Sequence, residues 1–312
     1  MLKQEKESTQ SMDEVYARNI ARLGSRYQGA EHKIKAGASA GADEEDYIDT
    51  QLYNSRESRL TKFANANRVK SQQLAAFDRQ SSVTAKSWWW MESSRFQKDM
   101  VIALGNHVTL SMAPSNLSLT VGEHFYLVPI QHADSFVSCD DQVWEEVRRF
   151  QKSLRDVFAV QKKHLLFFET VLPRQKGLWQ TRLEAVVLPK NNYLDAPLYF
   201  QSTLMEQAEE WGTHSHKIIK LSHNKPLRNA IPKNFSYFFV EYGEFQEGYA
   251  QMIETDRFPR DFGIDTVAGI LQVDPVRMRR KMGKQQQRDE ERKAVKQFCR
   301  EFQPHDWTLS LD

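Results

Sequence analysis

Cysteine is scarce in this chain: Cys139 and Cys299 are the only two among 312 residues. One pair so far apart makes no disulfide framework and supplies no four-cysteine zinc site. A reducing compartment, cytosol or nucleus, is the expectation that follows. Long apolar runs are missing as well. The longest, such as residues 100–104, fall far short of the roughly 20 residues that a bilayer-spanning helix needs. Residues 1–13 are polar and charged, unlike a secretory leader. A soluble, intracellular protein without a membrane partner is therefore expected. Nor is there an excess of charge of one sign: 43 Lys and Arg face 41 Asp and Glu, for a net charge of +2. A case for nucleic acid must then rest on local clusters. No internal repeat and no heptad run is visible.

What the chain does have is apolar mass, 40% hydrophobic and 11% aromatic residues, enough for real cores. It is unevenly spread. Residues 1–86 are polar, with a small-residue stretch at 36–42, an acidic run at 43–46 and basic, helix-favouring pieces between Ser55 and Arg79. Apolar residues there are too sparse to offset the ordering entropy. The stretch reads either as a disordered tail or as an extended, partly helical arm that orders on a partner. Met12, Val15, Tyr16, Ile20 and Leu23, at near-helical spacing, favour the arm.

From Ser87 the texture changes. Trp88, Trp89, Trp90 and Met91 open a dense apolar region. Residues 100–104 and 108–112 predict a hairpin around Gly105 and Asn106, and 125–129 a further strand. Asp140 or Asp141 can cap a helix whose apolar face is Val143, Val147, Phe150, Leu154 and Val157. Residues 165–168 and 183–188 predict two more strands. This order is an α+β pattern. Residues 189–197 are a candidate linker. A helix from about Phe200 to Trp211, a hairpin of 237–242 with 249–253, and helices at 262–271 and 289–302 follow. The organisation expected is thus an arm (1–86), a first α+β domain (87–195) and a second, smaller one (196–312).

Three groups of residues are chemical candidates. His214 and His216 stand at i and i+2 and can share a metal on a strand, but no Cys or acidic partner sits at ligand spacing, so a surface pair is the plain alternative. His107, His124, His132 and His164 can assemble a site or can be four unrelated histidines; His132 lies just past a strand end. Arg277, Arg279, Arg280, Lys281 and Lys284 form a basic run with no acidic residue between Asp274 and Asp289. It is the best phosphate-contact candidate, against an ordinary solvated face. Beyond it, Arg288, Arg292, Lys293, Lys296 and Arg300 interleave with Glu290, Glu291 and Glu301, which predicts an ion-paired, solvated helix.

The residues now in view resemble a known family. The run 122–132, with its glycine, strand, proline and His132, resembles one of its segments. Trp144, Glu145, Glu146 and Val147 with Phe150 and Leu154 resemble its central helix, and residues 167–170 the strand after it. Residues 196–200 and 209–211, the pairs Ile231-Pro232, Tyr237-Phe238, Phe258-Pro259 and Phe262-Gly263, and the ending 304–308 are similar to its second domain. These are the two C-terminal domains of CwfJ-type splicing factors, nearest the branch found in late spliceosomes, and the resemblance runs from about Ser87 to the end.

The resemblance implies a histidine-triad-like antiparallel sheet with a helix for the first domain. In such proteins a His-x-His-x-His strand presents three imidazoles on one face, one of them the nucleophile. The matching positions here are Gln180, Arg182 and Glu184. An amide and a guanidinium are poor nucleophiles, and Glu184 ends the row. Zinc-bearing members have a Cys-x-x-Cys pair where this chain has Ser87 and Trp90, leaving His132 alone of the implied ligands. Neither metal nor other cofactor is expected, and no catalytic residue. The indoles of Trp88, Trp89 and Trp90 can fill the vacated space.

The implied function is that of a non-catalytic, nuclear factor of the late, intron-lariat-bearing spliceosome. It contacts RNA and proteins, and it assists lariat turnover with the lariat debranching enzyme. Arg182 and the run from Arg277 to Lys284 are the candidate RNA contacts. The competing reading is a nucleotide hydrolase or phosphoesterase using unusual groups such as His124 or His132; a third is an RNA-binding module outside splicing.

Overall fold

The computed structural model describes residues 59–173, 179–210, 218–243, 245–273 and 284–311. The chain divides into two units, residues 1–79 and 80–312. The described part of the first is helix α1 (Arg59–Lys86), whose last turns from residue 80 belong to the second unit. Its 28 residues include neither glycine nor proline, so nothing in them breaks a helix. The anchors between Met12 and Leu23 lie outside the described residues.

The second unit is α+β. It is built on one eight-stranded antiparallel sheet in the order β1-β2-β3-β5-β4-β7-β8-β6. The strands are β1 (Val101–Leu104), β2 (Val108–Met112), β3 (His124–Pro129), β4 (Lys163–Val171), β5 (Leu183–Pro189), β6 (Ile219–Leu221), β7 (Tyr237–Tyr242) and β8 (Glu247–Met252). Helix α2 (Asp141–Val160) precedes β4 and α3 (Lys190–Glu210) follows β5. The short α4 (Leu227–Ala230), then α5 (Phe262–Ile270) and α6 (Lys284–Phe302) complete the unit.

The linker expected at residues 189–197 is not a loop: Pro189 ends β5 and the rest is helical. That helical part forms the first turns of α3, with Pro197 inside the helix. Proline removes one helical donor, yet Ala196, Phe200 and Leu204, spaced by four, bury one face against the sheet, and Asn192 Nδ2 donates to Ile270 O at 2.9 Å. Tertiary packing outweighs the local break. The two expected halves also share the sheet, because β4 pairs with β7 from Phe167↔Glu241 to Val171↔Tyr237.

Alternation along the central strands separates two cores. Leu165 and Phe167 of β4, Leu183 and Ala185 of β5, and Tyr237 and Phe239 of β7 face one way. There Val147, Phe150 and Leu154 of α2 and Val295, Phe298 and Phe302 of α6 cover them. Leu166 and Phe168, Val186 and Leu188, and Phe238 and Val240 face the other way, under α3 and α5. Helix α5 approaches closely. A Cβ on Gly263 would meet the Phe168 ring, 2.9 Å from Cγ and nearer still to its edge. A third, small cluster joins Val83, Trp89, Trp90, Ala113, Tyr126 and Val128.

Candidate functional site

Strand β3 places His124 and Tyr126 on one face, and its register sets Tyr126 opposite Glu184 of β5. Strand β5 begins at Leu183, so Gln180 and Arg182 lie in the segment leading into it and not on the expected ladder. Arg182 and Glu184 still meet. The guanidinium donates from Nε (2.9 Å) and Nη2 (2.8 Å) to Glu184 Oε1, and His124 Nε2 lies 2.9 Å from Oε2. Burial alone would raise the Glu184 carboxyl, but the Arg182 charge and the His124 hydrogen bond outweigh it and bring the pKa down to about 2. The same pairing raises Arg182 above its ordinary value against the desolvation that would lower it.

Above the ion pair runs a stack of rings and guanidinium planes. Arg182 Cζ lies 4.8 Å from the Tyr126 ring centroid and 4.2 Å from that of Trp89. Trp89 and Trp179 are 5.6 Å apart at 45°, and Arg260 Cζ lies 4.0 Å from the Trp179 centroid. Tyr126 and Trp89 are buried, Arg182 and Trp179 partly so, and Arg260 is exposed. Trp89 is fixed by donation from Nε1 to Gln180 O at 3.1 Å. A pocket opens beside the stack, lined also by Asp134, Thr170 and Thr181.

Below the pocket, Glu169 anchors its wall. Oε1 accepts from Phe136 N (3.0 Å) and Thr181 Oγ1, and Oε2 accepts from Tyr237 OH (2.6 Å). Burial pushes this carboxyl up to about 7 in spite of those donors.

The implied zinc positions come together, with the wrong chemistry for zinc. Ser87 Oγ accepts from Gln180 N at 2.8 Å, and Trp90 Nε1 donates to Ile130 O at 2.8 Å with its ring 5.7 Å from His132. The Gln180 carboxamide fills the centre, donating to Pro129 O (2.8 Å) and Gln131 O (3.1 Å) and accepting from Ala133 N (3.0 Å). A hydroxyl, an indole and an amide do not make a zinc donor set, and among the described residues no cluster of three His, Cys, Asp or Glu side chains could hold a metal.

The four histidines do not assemble. His124 belongs to the ion-pair site and His132 to Trp90; His107 sits in the β1–β2 turn, where its N–H donates to Glu146, and His164 stacks on Tyr193 at 4.6 Å. His214, His216, Arg277, Arg279, Arg280 and Lys281 lie outside the described residues, and Lys284 begins α6. The expectation of a purely solvated last helix is corrected: α6 buries Glu291, Val295, Phe298 and Phe302, because its spacing also carries an apolar stripe. Arg292 Nε lies 2.8 Å from Asp99, a residue outside the helix and not one of the interleaved glutamates. Trp179 and Arg260 are among the pocket residues that sequence reasoning missed, with Asp134, Val171 and Thr181. Trp179 adjoins Gln180, a usable hint, whereas Arg260 arrives from a loop 78 residues beyond Arg182 with no local signal.

Two family models match this chain: "Protein similar to CwfJ C-terminal" over residues 76–201 and "Protein similar to CwfJ C-terminus 2" over residues 210–308. It is 34% identical over 273 residues to the Mus musculus protein named CWF19-like protein 2, covering 86% of this chain and 30% of that one. With the Homo sapiens protein of the same name it shares 35% over 226 residues, 72% of this chain and 24% of that one. With the Schizosaccharomyces pombe protein named pre-mRNA-splicing factor cwf19 it shares 28% over 203 residues, 60% of this chain and 30% of that one. The chain thus spans about a quarter to a third of the length of these relatives. Among the described residues no helix is long and apolar enough to cross a membrane.

Proposed function

The chain belongs to the CwfJ family, and from that premise we propose that it is a non-catalytic pre-mRNA-splicing factor of the nucleus. It acts in the late, intron-lariat-bearing spliceosome, contacts RNA and neighbouring proteins there, and assists lariat release or debranching. The debranching chemistry belongs to a partner, the lariat debranching enzyme. The name of the fission-yeast relative supports the splicing role.

One observation carries the non-catalytic half of this reading. Of the three positions that match the family's histidines, Gln180 is an amide and Arg182 commits its Nε and Nη2 to Glu184. Glu184 itself, with its carboxyl held near 2, is a weak base at neutral pH and is already engaged by two donors. General acid–base work needs a group poised near the working pH and within reach of substrate. His124, the nearest imidazole, is 1% exposed and spends Nε2 on Glu184. The site is therefore suited to holding a ligand and not to cleaving one.

The test is copurification from nuclear extract with sequencing of the bound RNA. Spliceosomal small nuclear RNAs and excised introns are the expected cargo. Their absence, together with turnover of a dinucleotide by the purified chain, would overturn the proposal in favour of a hydrolase. An RNA affinity series over salt, with Arg277, Arg279, Arg280, Lys281 and Lys284 changed to glutamine, tests the basic run. Each lost phosphate contact should flatten the salt dependence by roughly one unit.

A further inference from the structure

The stack beside the ion pair has two unlike ends. At its inner end Arg182 lies between Tyr126 and Trp89, with its fork tied to Glu184, so that guanidinium has a positioning role and little left for a ligand. At its outer end Trp179 is only partly buried, and the Arg260 guanidinium lying on it is exposed. The inner members hold Trp89, and Trp89 backs Trp179. The pocket floor is the Arg182–Glu184 ion pair with Asp134 beside it, and its wall includes Thr170 and Thr181.

We propose that the Trp179–Arg260 corner is a docking point for one unpaired nucleotide of single-stranded RNA. This rests on the RNA-contacting reading given above and names the residues and the form of the RNA. The chemistry selects this ligand in three ways. An indole carrying a guanidinium plane offers a flat surface on which a base can stack, whatever its sequence. The exposed Arg260 guanidinium adds positive charge at the rim for the adjoining phosphate. The Asp134 carboxylate in the pocket lining can accept from the N–H donors of the base, so the base enters and the backbone stays at the rim. A duplex cannot comply, since its bases are already stacked. An acidic peptide would use Arg260 but would gain nothing from Trp179.

The experiment uses the full chain and a fluorescein-labelled ten-nucleotide RNA, single-stranded or annealed to its complement, followed by anisotropy over a salt series. The variants are Trp179→Ala and Arg260→Gln. For the single strand, Trp179→Ala should lose about ten- to a hundredfold in affinity, the worth of one stacked base. Arg260→Gln should lose several-fold and flatten the salt slope by roughly one. Neither should change what duplex binding there is. Arg260 is exposed, so its variant keeps the fold and the test survives even if Trp179→Ala does not fold. If wild type binds the single strand and Arg260→Gln binds it with unchanged affinity and slope, the corner is not the docking point, and the RNA-contacting reading stands. If wild type binds no RNA at 50 mM salt, that reading falls and this inference falls with it. A loss in Arg260→Gln that is equal for single strand and duplex also overturns it, because the corner is then a mere phosphate contact.

Discussion

Glu146 and Val108 are joined by a 2.9 Å hydrogen bond in which the helix α2 carboxylate accepts from the backbone N–H at the start of β2. The same carboxylate accepts from Asn106 N (2.9 Å) and His107 N (2.8 Å), so one side chain closes the whole β1–β2 turn. Gly105 leaves the room, since a Cβ there would run into Glu146 Oε2. Glu146→Ala orphans three backbone donors, at least one of them buried, and should cost about 2–4 kcal/mol. Urea unfolding checks this; a midpoint within error of wild type would contradict it.

Glu169 gives the stability a pH signature. Its folded pKa of about 7 stands above the 4.5 ordinary for a glutamate. The folded state therefore favours the protonated form. That contribution is complete below pH ~4.5 and is lost as pH rises through ~7. The difference of about 2.5 pK units sets an upper bound of roughly 3 kcal/mol. Glu184 has the opposite sign: it contributes above its unfolded value and loses that contribution only as pH falls toward ~2. Denaturation midpoints between pH 4.5 and 7 should thus fall with rising pH in wild type and fall less in Glu169→Gln. Parallel curves would remove Glu169 as the source.

Gly263→Ala drives a methyl into the Phe168 ring, which is itself 2% exposed beneath α5. Overpacking of this kind costs about 1–3 kcal/mol. A thermal scan should show the drop, and Phe168→Leu in the same chain should recover part of it by yielding space.

Arg182→Ala removes a cation from between Trp89 and Tyr126 and leaves the partly buried Glu184 carboxylate with His124 alone. Breaking a fully buried pair on one side costs about 3–5 kcal/mol, and this partly exposed one should cost less than that. The near-ultraviolet circular dichroism of the tryptophans should change with it. Arg182→Ala together with Glu184→Leu, which removes both charges, should recover much of the loss.

Zinc should be absent from the purified chain by elemental analysis, and a chelator should leave its thermal transition unmoved, because Ser87, Trp90 and Gln180 spend their polar groups on one another and on the backbone. One zinc per chain would contradict this.

The strands were legible because their signals are local. Alternation at 165–168 and 237–242, and the Gly105-Asn106 turn, need only neighbouring residues to be read. The 189–197 segment misled because Pro189 and Pro197 speak for a break, while the burial of Ala196 and Phe200 that overrides them is a tertiary fact. The site divided in the same way. Gln180, Arg182 and Glu184 are found by resemblance, and the pairing of Arg182 with Glu184 is foreseeable from charge. Nothing near Arg260 in sequence announces that it lies on Trp179, and nothing near Glu169 announces that Tyr237 and Thr181 converge on it.

The seam between β4 and β7 has a consequence for how the protein is made. Strand β4 ends at Val171, whereas its outer partner begins at Tyr237. At ribosomal rates of roughly 5–20 residues per second, that separation leaves the nascent sheet with an open edge for several seconds. The waiting edge carries Phe167 and Phe168, residues of the kind that recruit stray strands. Release of a chain truncated near residue 195 would make that interval permanent, so such a fragment should accumulate in inclusion bodies, while the intact chain, once β7 has docked, has no central edge left to offer.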